Sequence, residues 1–421
     1  MNLKTRHLQA RLKTLGQHFK VILVTGSRQV GKSTLLKETF PHLPVITFDA
    51  HQDIYGAMEN PDLFLKLNPA PLILDEVQYI PQLLASIKRK VDESPAMGQY
   101  FLTGSHHIGL MKGVVEGLTG RIGIIDLERM TVFEDNQSVR FEDEHQNPPT
   151  WLQVYLEQPM ALIQNFAGLA TPHPLAEIIW RGGLPVAQEK PLIVVSDYLS
   201  SYITSYLQRD VLYIDPTAAS PLFTKFLGAM TARTAQEIHA EDIMQTIGIK
   251  RDTFLQWEHL LQKTYQWREL PAYSGNCLKR LVKRGKGHCT DTGLAAHLQG
   301  ISSPQALAVS PAVGPLFESL CVSTLFGMMS SLYQRPKVYH WRTYAGAEVD
   351  IVLEMNGKLY PIETKFGTTL SKHDTRGITA FRETYGDQVA HGLILYPGDY
   401  AYALSEHVTV LPFNALMKRK L

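Results

Sequence analysis

Gly26-Ser27-Arg28-Gln29-Val30-Gly31-Lys32-Ser33 sets two glycines, a lysine and a hydroxyl at the spacing of a phosphate-binding loop. Glycines let backbone N–H groups curl around polyphosphate oxygens, and the positive end of a following helix faces the same charge. Lys32 is placed to reach the β- and γ-phosphates and Ser33 to offer its hydroxyl to Mg²⁺. The candidate cofactor-binding set is therefore Gly26, Ser27, Arg28, Gln29, Val30, Gly31, Lys32, Ser33 and Thr34. Farther on, Pro71-Leu72-Ile73-Leu74-Asp75-Glu76 is an apolar run ending in two carboxylates. Asp75 would hold the metal through water, and Glu76 would polarise the water that attacks the terminal phosphorus. Thr103 or Ser105, at the exit of the run Gln99 to Leu102, either contacts the γ-phosphate or caps a turn. Arg121 is read as a γ-phosphate sensor or an arginine finger, with a solvated surface arginine as the alternative.

A second cluster of chemically capable residues lies near the C-terminus. Asn356-Gly357 is a hairpin turn signal between two alternating stretches, Glu348 to Glu354 and Leu359 to Lys365. Counting outward from that turn pairs Met355 with Lys358, Asp350 with Glu363 and Glu348 with Lys365. Period-two alternation then puts Val349, Ile351, Leu353, Tyr360 and Ile362 on one face and Glu348, Asp350, Glu363 and Lys365 on the other. Opposed carboxylates can share a divalent cation, and Lys365 could orient water beside them. Asp350 with Glu363-Thr364-Lys365 resembles the core motif of restriction-endonuclease-like nucleases, and Glu318 matches their additional acidic residue. That resemblance implies Asp350, Glu363 and Lys365 as catalytic residues and Glu318, Asp350 and Glu363 as metal ligands. A nuclease-like fold without cleavage and a plain half-exposed hairpin stay open, and Pro361 allows a bulge that would shift the register.

These residues need elements to hold them. Up to about residue 130, short apolar strands near 21–25, 45–48, 72–75, 100–103 and 122–126 alternate with helical stretches, which predicts a parallel sheet with helices on both faces. The acidic stretch from Phe141 to Pro149 reads as a surface loop and a boundary. Helical spacing follows to about Tyr213, with Tyr202, Tyr206 and Arg209 on one face, read as packing against the first module. Gly248 sits between two helical stretches in a helix-turn-helix or winged-helix pattern, with Lys250 and Arg251 opening the second. The basic run Lys279 to Lys286 would form a strand or wing able to grip a phosphate backbone, or else a solvated face.

Taken together, the motifs resemble the AAA-type ATPases of bacteria and archaea that carry a C-terminal domain of unknown function. The similarity rests on Gly26 to Thr34, Leu72 to Gln78, Thr103-Gly104-Ser105, Leu118 to Arg121, Arg181-Gly182-Gly183-Leu184-Pro185, Tyr206 to Asp210 and Asp291-Thr292-Gly293-Leu294. It implies an α/β fold: a P-loop NTPase parallel sheet, a winged-helix-like region and an α/β nuclease-like domain. The expected divisions are an ATPase domain at 1–150, a helical linker or lid at 151–215, a winged-helix-like domain at 216–298 and a nuclease-like domain at 299–421. The expected function is Mg²⁺-dependent ATP hydrolysis coupled to C-terminal domains that act on a partner, DNA or protein. A nucleotide-gated nuclease and an ATP-bound scaffold are the alternatives, and homo-oligomerisation is open.

Composition sets outer limits. A chain of 421 residues with 44% hydrophobic content supports several cores. The formal charge of +1, from 41 basic and 40 acidic residues, excludes a uniformly basic protein, so nucleic-acid contact needs a local patch. Three scattered cysteines give no disulfide framework or zinc site. No apolar run approaches membrane-spanning length, so a cytoplasmic protein without membrane contact is expected.

Overall fold

Five short apolar runs form one parallel sheet: β1 (Val21–Thr25), β2 (Val45–Thr47), β3 (Leu72–Asp75), β4 (Tyr100–Gly104) and β5 (Ile122–Asp126). The computed structural model describes residues 4–418 apart from 50–51, 54, 105–115, 137–147, 169, 216–217, 219–220, 277–279 and 281–282. Ser105 and most of the acidic stretch, Phe141 to Asn147, therefore lie outside the described residues. The strand order is β2-β3-β4-β1-β5. Alternate residues of β1 face opposite cores. Ile22 and Val24 join Leu12, Leu35 and Leu36 beneath α1 (Gln9–His18) and α2 (Lys32–Thr39), whereas Val21 and Leu23 join Phe64, Leu84 and Ile87 beneath α3 (Pro61–Leu67) and α4 (Leu83–Glu93). The inner strands β1, β3 and β4 are buried throughout, which is why β1 and β3 are almost wholly Val, Ile and Leu.

A helical region follows. It includes α5 (Leu175–Arg181) and α6 (Leu192–Ser205), and α6 runs on into a π-helical segment, Tyr206–Val211. Next come α7 (Pro221–Ala232), β6 (Gln236–Glu237), α8 (Ala240–Ile247), α9 (Arg251–Lys263), β7 (Trp267–Leu270) and β8 (Lys286–Cys289). Helix, strand, helix, helix, strand, strand is the order of a winged helix, and the three strands pair as β6-β8-β7. Gly248 ends α8 with φ +79°, the left-handed cap that only glycine adopts cheaply. In the core of this unit Phe223 meets Trp257 and Phe226 meets Phe254 edge to face, and Phe226 meets Trp257 at a tilt.

The C-terminal part contains α10 (Thr292–Leu298), α11 (Val313–Met329), α12 (Arg376–Tyr385) and a six-stranded mixed sheet. Its strands are β9 (Lys337–Arg342), β10 (Glu348–Met355), β11 (Lys358–Thr364), β12 (Gly392–Tyr396), β13 (Tyr402–Ser405) and β14 (Val408–Pro412), in the order β13-β14-β12-β11-β10-β9. Asn356 and Gly357 both take positive φ, as a type I′ turn requires. Met355 pairs with Lys358 and Ile351 with Ile362, so Pro361 does not displace the register. One face assignment is corrected. Val349 packs with Val352, Leu359 and Phe381 rather than with Ile351, Leu353 and Ile362, because the pairing of β10 with β9 shifts between Val349 and Val352. A bulge breaks the period-two count at that point. Among the described residues, no helix is long and apolar enough to cross a membrane.

Candidate functional site

The chain leaves β1 at Thr25 and turns at Gly26 (φ +143°), where a Cβ would lie 2.4 Å from the Leu127 carbonyl oxygen. Only glycine fits. Gln29 (φ +58°) and Gly31 (φ +95°) complete the left-handed turns that aim successive N–H groups inward and start α2. The Lys32 ammonium is buried and folded back on the loop, donating to the carbonyls of Gly26 (3.0 Å) and Ser27 (2.9 Å). Burial lowers its pKa from the usual lysine value, although Glu76, Asp75 and Asp210 oppose that shift.

The strand order decides what meets the loop. Because β4 lies between β1 and β3, its last residues separate the loop from the acidic strand end. Thr103 fills that position. Its hydroxyl donates to Asp75 Oδ1 and accepts from the Glu76 N–H at 2.9 Å. Ser33 Oγ donates to the same Asp75 oxygen at 2.7 Å. Glu76 sits in a left-handed conformation (φ +62°) with its carboxylate accepting from Gln78 Nε2. A cavity of about 450 Å³ opens beside these groups, lined by Gln29, Lys32, Ser33, Glu76, Met130 and Val186 among others. An amide cradle, a buried ammonium that donates to two carbonyls, and a hydroxyl paired with a carboxylate form a donor set that fits a triphosphate with Mg²⁺.

Two further elements grip the loop. Arg6, barely exposed, donates to Val30 O (2.7 Å) and Glu128 O (2.6 Å) and pairs with Glu134, tying the N-terminal segment to the loop. From the other side Tyr202 Oη donates to Arg28 O at 3.3 Å, Tyr198 Oη to Gln29 Oε1 at 2.8 Å, and Arg28 pairs with Asp210 of the π-helical segment at 3.1 Å. Tyr206 instead points to Thr264, just past α9, 2.9 Å away. The Arg209 side chain lies outside the described residues. The helical spacing places Tyr202 on a packing face, but no local pattern joins Arg28 to Asp210 or Arg6 to Glu128, contacts that span 182 and 122 positions.

Arg121 does not belong to this site in its own subunit. It precedes β5 at the end of the sheet opposite the loop, roughly 16 Å away at ~3.3 Å per residue, where its carbonyl accepts from Val21 N–H. Its guanidinium is exposed and paired with Asp92. A contact between Arg121 and a γ-phosphate would have to be made on a neighbouring copy.

The C-terminal carboxylates come together, but around an ammonium. Lys286 Nζ lies 2.6 Å from Glu318 Oε1, 2.7 Å from Glu348 Oε1 and 2.9 Å from Asp350 Oδ1, and its side chain is 4% exposed. Asp350 Oδ2 accepts from the Thr364 N–H (2.9 Å) and hydroxyl (3.0 Å). Glu363, buried beside Asp350, pairs with Lys365 at 3.2 Å. Burial disfavours the Asp350 charge, yet Lys286 and Lys365 outweigh it and hold that carboxyl well below the usual range. Burial, with Asp350 alongside, pushes Glu318 up to about 8 and Glu363 well above its usual value. The expected divalent-metal site at Glu318, Asp350 and Glu363 does not fit this arrangement. Among the described residues no cluster of His, Cys, Asp or Glu has metal-holding geometry.

The same contacts correct the expected basic wing. Lys286 is inside rather than on a surface, and Arg280 is held by Glu354 (3.0 Å) and over the Tyr273 ring. Lys279, Leu281 and Val282 lie outside the described residues. Around the second helix, Lys250 is exposed, but Arg251 and Arg284 face Glu241 and Arg233 faces Asp242, each within 4 Å, so charge of both signs is interspersed there.

The two remaining motifs meet each other. Asp291 Oδ2 accepts from the Gly183 N–H at 3.0 Å, its Oδ1 caps α10 through Leu294 N–H at 2.9 Å, and Arg129, just past β5, pairs with it at 3.4 Å. Arg129 also bonds Gln266 at 2.9 Å. One carboxylate thus joins the parallel sheet, the helical region and the winged helix.

A parallel sheet of order β2-β3-β4-β1-β5 with a glycine-rich loop after β1 and an acidic end on β3 defines a P-loop NTPase fold. Residues 18–135 match the AAA domain family, 173–305 a domain of unknown function (DUF8612) and 313–416 a second one (DUF4143). The chain therefore carries an AAA domain of P-loop ATPase fold followed by two domains of unknown function. It is 25% identical over 419 residues to uncharacterized proteins of Mycobacterium tuberculosis and Mycobacterium bovis, covering 99% of this chain and 85% of each relative. Among solved structures it is similar to a Walker-type ATPase of Pyrococcus abyssi (TM-score 0.39, 16% identity, 69% of this chain and 94% of that one). Another is the RuvB Holliday junction branch migration motor of Thermotoga maritima (TM-score 0.29, 15% identity, 64% and 90%). Scores this low leave the fold to rest on the sheet and the AAA match.

Proposed function

We propose that the protein binds ATP with Mg²⁺ at the loop between β1 and α2 and hydrolyses it, passing the nucleotide state to the regions that follow. The regions are taken as 1–150, 151–215, 216–298 and 299–421. The observation that carries the reading is the Thr103 hydroxyl, which joins Asp75 to the backbone of Glu76 while Ser33 bonds the same Asp75 oxygen. That arrangement supports a fixed distance between the residues that would hold the metal and the one that would handle water.

On binding, Lys32 exchanges the Gly26 and Ser27 carbonyls for phosphate oxygens, and the loop amides take the rest of the charge. Mg²⁺, held by Ser33 and through water by Asp75, would neutralise charge on the phosphates. Glu76 turns from Gln78 to a water and orients it or accepts its proton. Thr103 keeps the Glu76 backbone in its left-handed conformation through the step. Because Arg28 and Tyr198 reach from the loop to Asp210 and α6, a change in the loop pulls directly on the helical region. The partner on which this acts stays outside the proposal, since the mixed charges near α9 favour neither DNA nor protein. Nuclease chemistry is not part of it.

Phosphate release from ATP, measured for the full chain, tests the reading. Lys32→Ala should lose nucleotide binding. Glu76→Gln should keep binding and lose turnover by on the order of 10²–10⁴-fold. Undiminished hydrolysis in both variants rejects it, and a wild-type single-turnover experiment without phosphate release would leave an ATP-bound scaffold instead.

A further inference from the structure

The carboxylate cluster of the C-terminal sheet already contains a cation, and it is part of the chain. An ammonium has three N–H donors and no acceptor. Lys286 Nζ meets three carboxylate oxygens, one each from Glu318 on α11 and Glu348 and Asp350 on β10, at 2.6–2.9 Å. It donates to Glu348 and Asp350, while Glu318 Oε1 lies within ion-pair distance without a hydrogen bond. The backbone behind it is equally fixed, since Lys286 pairs with Glu237 of β6 on one side and Leu270 of β7 on the other. Its neighbour Gly287 lies so close to the Trp267 indole that a Cβ would come within 2.1 Å of it. Lys286 is therefore held from behind by the winged-helix sheet and reaches into the next domain.

The site is rich in oxygen donors. Glu318, Glu348, Asp350 and Glu363 gather about Lys286 and Lys365, with Arg342 3.7 Å from the outer oxygen of Glu348. Beside them His288 Nε2, fully buried, has no hydrogen-bond partner and lies 3.8 Å from Glu318 Oε1. Carboxylate oxygens and an imidazole nitrogen are donor types that a divalent ion such as Mn²⁺ takes, and here the ammonium fills the position between them.

We infer that Lys286 stands in the place of a divalent cation, so that the folded chain excludes metal from this cluster and removal of the ammonium converts it into a divalent-cation site. The inference is independent of ATP hydrolysis at the N-terminal loop. It makes β8 an internal plug: while the winged-helix sheet is packed against the C-terminal sheet the cluster is closed, and withdrawal of β8 opens it. The strand leads directly into Thr290 and Asp291, which hold Arg129 of the nucleotide-binding module, so the plug and that module are mechanically joined.

Titrating the nucleotide-free full chain with Mn²⁺ at neutral pH, read by the electron paramagnetic resonance of free Mn²⁺, tests this. Wild type and Asp350→Asn should bind Mn²⁺ identically. Lys286→Ala should gain one site per chain, at least ~tenfold tighter than any wild-type binding, and Lys286→Ala/Asp350→Asn should lose it. Lys286→Met, which keeps the apolar stem, serves if the alanine variant does not fold, with circular dichroism as the check. Mn²⁺ binding by wild type that Asp350→Asn abolishes would overturn the inference, as would a folded Lys286 variant that gains no site. Should neither variant fold, the comparison of wild type with Asp350→Asn still decides it.

Discussion

Gly182→Ala should be among the most damaging single substitutions in the chain. Gly182 follows α5 with φ +76° and ψ −157°, a region open essentially to glycine, and forcing alanine there costs about 1–3 kcal/mol in backbone strain. The added Cβ would lie 2.1 Å from Asp291 Oδ1 and 2.8 Å from the Gly293 nitrogen. Neither can yield cheaply, because Asp291 is 3% exposed and holds Gly183 N–H, Leu294 N–H and Arg129 together. Displacing it leaves the buried Arg129 charge poorly compensated, and breaking a buried pair typically costs ~3–5 kcal/mol. Since one movement relieves part of both penalties, the total comes to about 3–6 kcal/mol, a large share of the ~5–15 kcal/mol that holds a domain folded. Urea denaturation followed by tryptophan fluorescence should show the midpoint fall sharply, or the protein should be recovered insoluble. Gly228→Ala is the matched control: Gly228 lies inside α7 with nothing within 4 Å of its added Cβ, so alanine should stabilise by about 0.5–1 kcal/mol. A Gly182→Ala protein with the wild-type midpoint would refute the reasoning.

Thr103→Val removes the hydroxyl shared by Asp75 and Glu76 N–H, stranding buried polar groups at ~1–3 kcal/mol. ATP binding should survive while hydrolysis falls about 10–100-fold, with Thr103→Ser restoring most of it, as steady-state phosphate release would report. Arg121→Ala should leave ATP affinity of the isolated chain unchanged in calorimetry, since Arg121 lies at the far end of the sheet. His7 is buried against Thr131 with its pKa lowered to about 4, burial being the main cause. A base depressed in the folded state contributes stability that is complete above its unfolded value near 6.5 and is lost as pH falls through about 4. The loss amounts to about 3 kcal/mol at ~1.4 kcal/mol per pH unit. Thermal melts should show wild type losing stability between pH 6.5 and 4 more steeply than His7→Gln, and parallel curves would argue against a neutral buried imidazole.

Local signals in the sequence match the structure where one element suffices to produce them. Each strand of the parallel sheet is built on a short apolar stretch, and the hairpin turn at Asn356-Gly357 carries its own backbone preference, so both could be read without tertiary context. Strand order could not. The insertion of β4 between β1 and β3 makes Thr103 the bridge between Asp75 and Glu76, and no periodicity encodes which strands are neighbours. Alternation failed at Val349 because a bulge depends on the partner strand β9 as much as on β10 itself. Lys286 was the least legible residue: it closes a basic run and lies between two glycines, which reads as an exposed wing, whereas its carboxylate partners follow 32, 62 and 64 residues later. Arg121 misled for the opposite reason. A basic residue next to a strand looks the same in sequence at either end of a sheet, and only the direction of β5 puts it away from the loop.

The central claim is that the loop from Gly26 to Ser33 holds a nucleoside triphosphate. Isothermal titration of the full chain with ATP in the presence of Mg²⁺, run in parallel on Lys32→Ala, tests it most directly. One saturable site per chain that disappears in the variant is the expected result. Absence of binding by folded wild type, or equal binding by Lys32→Ala, would contradict the account.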